Sequence, residues 1–131
     1  MARAYTIAAA ALTLGMSAKW LDNTLSHIKI LGVHQEKQGV ARRITIDGLL
    51  ILSIAALLIN EFGMSLSRAA GMAESLASNN GLYRSPGGAL AIQLDLEGLR
   101  FKLLERLEHA VEVTPIPKRG RPSKNKTGRL D

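Results

Sequence analysis

The sequence predicts a mainly α fold: four helical segments, the first two a helix-turn-helix, with a small basic β-hairpin, then a strand-helix element and a disordered basic tail. Three observations predict it. Apolar residues recur at spacings of three and four in most of the chain. Two glycines, Gly15 and Gly63, are each followed two positions on by a serine able to cap a new helix. Pro115 and Pro117 then mark a change to a segment too polar to fold alone.

The elements follow in order. Thr6 is a good N-cap, and Ile7, Ala10, Ala11 and Leu14 share one helical face, so residues 7 to 14 are expected to form a short helix. Gly15 ends it, because glycine takes the left-handed conformation that a sharp turn requires. Ser17 caps a second helix to about Ile28, carried by Leu21, Leu25 and Ile28. After Leu31-Gly32-Val33 the polar run from His34 to Gly39 reads as a loop. Val40 to Ile44 reads as the returning strand of a hairpin tipped by Lys37 and bearing Arg42 and Arg43. Thr45 or Asp47 caps an apolar helix to about Phe62, and Ser65 caps a fourth helix to about Ser78. Asn79-Asn80-Gly81 and Ser85-Pro86-Gly87-Gly88 bracket a loop, and Leu90, Ile92 and Leu94 alternate as a short strand. A last helix from Asp95 to Val113 carries a stripe of Leu96, Leu99, Leu103, Leu107, Ala110 and Val111. That stripe is too apolar for a lone exposed helix. It is expected to pack on the domain or on its twin, with Leu96, Leu99, Leu103 and Leu107 as a homodimer interface.

The 131 residues are 47% apolar and contain no cysteine, so one real core is affordable without disulfides, and thiolate metal sites and a cysteine nucleophile are excluded. Gly48 to Ile59 is apolar apart from Ser53, yet twelve residues fall short of the roughly 20 that span a bilayer. Arg3 with the apolar run from Ile7 to Met16 imitates a signal peptide. The helix-pair reading accounts for those residues better, and a cytoplasmic protein without a membrane role is expected.

Net charge is +6, unevenly spread. Residues 1 to 43 carry +4, residues 44 to 114 carry −3, and residues 115 to 131 carry +5. A basic head and a basic tail around an acidic middle suggest two separate polyanion contacts. Catalytic chemistry is missing. His27, His34 and His109 are scattered, Ser85 to Gly88 lacks the lysine of a phosphate loop, and Glu105, Glu108 and Glu112 read as a solvated helix face. No metal and no cofactor is expected, and Trp20 reads as a core residue of an amphipathic helix.

The series Tyr5-Thr6-Ile7, Gly15-Met16-Ser17, Lys19, Leu21, Leu31-Gly32-Val33, Arg43, Ile44-Thr45 and Phe62-Gly63-Met64-Ser65 resembles the winged helix-turn-helix domain of the MerR-like regulators and phage excisionases, over about residues 5 to 76. One departure stands out: after Lys19 the family presents an Arg-Tyr-Tyr-like run, and here stand Asp22-Asn23-Thr24. The effector-sensing cysteines are also missing. The resemblance implies DNA binding by the second helix, with Ser17, Lys19, Asn23 and Thr24 facing the major groove. Asn23 is the candidate base reader, and Lys37, Arg42 and Arg43 follow phosphate or minor groove.

The tail segment Lys118-Arg119-Gly120-Arg121-Pro122-Ser123-Lys124 looks like an AT-hook. Glycine lets such a backbone sink into a narrow groove, proline holds it extended, and two arginines enter the negative potential of A·T-rich minor grooves. The expected organisation is a DNA-binding domain over 1–78, a dimerisation or interaction element over 79–114 and the tail over 115–131. The expected partner is double-stranded, A·T-rich DNA, bound by a nucleoid-associated protein or transcription regulator. The alternative is an antitoxin or phage adaptor whose residues 89 to 113 capture a partner protein.

Overall fold

The computed structural model describes residues 4–35 and 41–113. Lys37 and Val40 in the hairpin loop, and Lys118, Arg119, Gly120, Arg121, Pro122 and Lys124 in the tail, lie outside the described residues. The described chain is mainly helical with two small antiparallel sheets.

A two-residue strand β1 (Ala4–Tyr5) leads into α1 (Ile7–Leu14) and α2 (Ala18–His27). Thr6 accepts the Ala9 N–H at 3.2 Å, and Ser17 accepts the Trp20 N–H at 3.0 Å, so both expected caps form. Between them Gly15 takes φ 71°. The N–H groups of Gly15 and Met16 donate to the carbonyls of Leu12 and Ala11, which closes the end of α1 in a Schellman turn. Strands β2 (Val33–His34) and β3 (Arg43–Thr45) follow, then the long helix α3 (Ile46–Phe62). The sheet order is β1-β3-β2, so the returning strand is central, pairing Tyr5 and Val33 with Ile44 on its two sides. That strand starts at Arg43, whereas the sequence pattern starts it at Val40.

Helix α3 is buried nearly all round, as its unbroken apolar run requires: Leu49, Leu50, Ile51, Leu52, Ile54, Ala55 and Leu58 are all core. Gly63 stops it at φ 67°, and α4 (Leu66–Ser78) folds back along it. Both helix-to-helix turns use the same tripeptide, Gly-Met-Ser. Ser65 holds the N-cap position of α4 but makes no side-chain capping bond. Strands β4 (Leu82–Arg84) and β5 (Ala91–Gln93) form a hairpin that the sequence reading resolves only in its second half. Asp95 then accepts the Gly98 N–H at 3.1 Å and starts α5 (Leu96–Val113).

The apolar stripe of α5 packs on the domain itself, one of its two expected receivers. Leu103, Leu107 and Ala110 are buried within the same chain, and Leu96 and Leu99 are half-buried against the same core. The reason lies in α1, against which α5 chiefly packs: Ala9, Ala10 and Ala11 leave a shallow face that admits the leucines of a neighbouring helix. What α5 leaves outside is Phe101, 64% exposed, with Leu104 and Val111.

A tight junction joins the loop after α2 to the start of α3. Gly32 has φ 90°, and a Cβ there would stand 2.6 Å from both the Gly48 nitrogen and the Thr45 hydroxyl oxygen. At Gly15, by contrast, a Cβ would meet open space. Gly15→Ala is therefore expected to cost about 1 kcal/mol, the left-handed backbone penalty alone. Gly32→Ala adds a backbone clash and should cost clearly more, on the order of 3 kcal/mol. Denaturant midpoints of the two variants compare them directly. Equal losses would show that the junction relaxes freely.

Candidate nucleic-acid interface

Helix α2 buries one narrow arc, Leu21, Thr24 and Leu25, and leaves the rest to solvent. Its exposed side carries Lys19, Asn23, Ser26 and His27, one helical turn apart in pairs, with Asp22 at the edge. The Asn23 carbonyl accepts from the Ser26 hydroxyl at 2.7 Å and sits 2.8 Å from His27 Nδ1. A carbonyl oxygen only accepts, so that contact places a proton on Nδ1. The Asn23 amide itself is on the exposed side and has no partner among the described residues.

Of the expected contact residues, Lys19 and Asn23 share the exposed face of α2, whereas Ser17 stands at its N-cap, its hydroxyl taken by the Trp20 N–H, and lies on the Trp20 side. Thr24 is not on the exposed face. It is only 5% exposed, and its position between Leu21 and Leu25 turns it into the core, so it has no route to a groove. Arg43 is exposed on β3, opposite His34. Lys19 and Arg43 have no carboxylate partner among the described residues.

Arg42 is held differently. Its Nη1 donates to Asp22 Oδ1 at 2.6 Å, across 20 residues of sequence. The arginine side chain is 18% exposed and the aspartate side chain 61% exposed. Arg42 therefore serves first to neutralise the acidic residue on α2 and to tie the hairpin limb to that helix. It is not a free phosphate ligand. Sequence reasoning missed Asp22 because charge alone gave no sign that the two residues meet.

Trp20 also departs from expectation. It is 40% exposed and, with Leu14, Met16, Ala56, Ile59 and Asn60, lines an open groove of about 390 Å³ between the first turn and α3. Among the described residues no three His, Cys, Asp or Glu side chains gather as a metal site would need, and no helix is long and apolar enough to cross a membrane.

No protein-family model matches the chain, and no curated protein is significantly similar to it.

Because Asp22 is mostly solvated, its ion pair contributes little to stability, less than about 1 kcal/mol. Asp22→Ala is expected to keep the thermal midpoint within a few degrees of the unaltered chain. A much larger fall would give the pair a structural role beyond orienting Arg42.

Proposed function

We propose that the chain is a DNA-binding protein of the winged helix-turn-helix kind, a transcription regulator or nucleoid-associated protein working in the cytoplasm. One observation carries the reading. Helix α2 follows a tight glycine turn, is anchored by three side chains only, and offers solvent a face of Lys19, Asn23, Ser26 and His27 beside the basic strand β3. A helix about 10–12 Å across fits the major groove, and such a polar face can meet base edges there while Lys19 and Arg43 meet phosphates. The net +4 of residues 1 to 43 favours this approach over any acidic partner surface. The tail, with Arg119 and Arg121 about Gly120, is proposed as a minor-groove anchor on an adjacent A·T-rich flank.

Self-association, if it accompanies DNA binding, falls to Phe101 and Leu104, since the leucine stripe is already covered. The same exposed pair supports a second reading, in which α5 captures a different protein and the chain is an antitoxin or phage adaptor. Sedimentation separates the two. A homodimer at tens of micromolar that Phe101→Glu converts to monomers supports self-association; a monomer that copurifies with one partner through Phe101 supports the adaptor.

For DNA binding, Lys19→Ala and Arg43→Ala are each expected to weaken binding to all duplexes and to lower the slope of log K against log salt by about one. Asn23→Ala should instead relax preference at one base position, with a salt slope unchanged. Equal affinity of all three variants and the unaltered chain in fluorescence anisotropy would place the DNA surface elsewhere. Arg119→Ala with Arg121→Ala should lower affinity on A·T-flanked probes and much less on G·C-flanked ones, where the guanine amino group obstructs the groove floor. Equal loss on both probes would reduce the tail to a general counterion brush.

A further inference from the structure

A carboxylate on the exposed side of a DNA-facing helix is out of place electrostatically, and Asp22 is such a carboxylate. It stands on α2 one residue before Asn23 and one turn from Lys19, and more than half of its side chain is open to solvent. Facing a polyanion, an uncompensated carboxylate repels phosphate and weakens every complex alike. Here it is compensated. Arg42, coming from the limb that enters β3, donates to Oδ1 at 2.6 Å and is itself mostly covered, so the pair approaches DNA with no net charge.

Compensation leaves one oxygen over. Oδ1 is used by Arg42, and Oδ2 has no partner among the described residues. An ionised carboxylate only accepts hydrogen bonds. In the major groove the cytosine N4 amino group donates without an adjacent acceptor, whereas adenine presents a donor beside the N7 acceptor, which suits an amide. We propose that Asp22, held by Arg42, reads a cytosine amino group through Oδ2, next to the base contacted by Asn23. The two neighbouring residues then make a composite reader, the carboxylate for cytosine and the amide for adenine. Arg42 acts as a positioning residue: it fixes the carboxylate and cancels its charge without touching a base.

This inference rests on the DNA-binding reading, and the test separates the two. Duplexes are selected from a randomised pool by the full chain and by three variants, and the enriched sites are compared together with affinities at two salt concentrations. The unaltered chain is expected to enrich sites with a fixed cytosine column. Asp22→Ala should lose that column with the rest of the site retained. Asp22→Asn should shift it towards adenine, because an amide pairs bidentately with that base. Arg42→Ala should lower affinity for all sequences about tenfold, as it exposes a bare carboxylate to phosphate, and adding Asp22→Ala should restore most of that loss. If the cytosine column survives Asp22→Ala, or if Asp22→Ala raises affinity uniformly with preference unchanged, Asp22 is a latch for the hairpin only and the inference fails while the DNA reading stands. If the unaltered chain shows no salt-dependent binding to any duplex, the DNA reading fails and this inference with it.

Discussion

The arrangement of the described chain depends on the grip of Thr45 on Gly32. The Thr45 N–H donates to the Gly32 carbonyl at 2.8 Å, its hydroxyl donates to the same oxygen at 3.1 Å, and that hydroxyl accepts the Gly48 N–H at 3.3 Å to cap α3. One buried threonine thus joins three things: the end of the loop after α2, the last residue of the central strand β3, and the first turn of the core helix α3. The approach is close enough that both backbones need glycine. Gly48 lies on the helix face that meets Gly32, where a Cβ would come within 3.0 Å of the Gly32 carbonyl group. With this junction set, β3 is fixed relative to the loop that follows α2. The basic limb bearing Arg42 and Arg43 is then delivered beside that helix.

Helix α2 consequently has two jobs that compete for its few residues. Leu21, Thr24 and Leu25 hold it to the core, and the remaining residues are left polar and exposed. A ten-residue helix with so little buried surface is not stable alone, so its position is dictated by the turn before it and the junction after it. That is the physical condition for presenting a rigid polar face: the helix is anchored at both ends and its middle is available. The Asp22–Arg42 pair adds a third tie at the free edge, weak in energy but specific in direction.

How much of this could be read from residues alone varies with the range of the interaction. The helix stops at Gly15 and Gly63 and the caps at Thr6, Ser17 and Thr45 are local, and each is readable from a few neighbouring residues. Strand β1 and strand β4 are too short for alternation to show, since two or three residues give no period. The α5 stripe was evident, but its receiver was not, because Ala9-Ala10-Ala11 is a weak apolar signal whose value is its small size. The resemblance puts Thr24 on the DNA-facing side, whereas its spacing from Leu21 and Leu25 puts it in the buried arc. The pairing of Asp22 with Arg42 spans the loop and depends on the path of a hairpin, so no local pattern encodes it. The mainly helical class was within reach; the partners of individual charges were not.

The surface proposed to meet DNA is the exposed side of α2 with strand β3. Titrating a short duplex into the isotopically labelled chain and following backbone amide resonances tests it residue by residue. The largest shifts are expected at residues 17 to 27 and at Arg43, with the buried residues of α3 and the leucines of α5 little changed. Shifts concentrated in α5 around Phe101 and Leu104, with residues 17 to 27 silent, would contradict it.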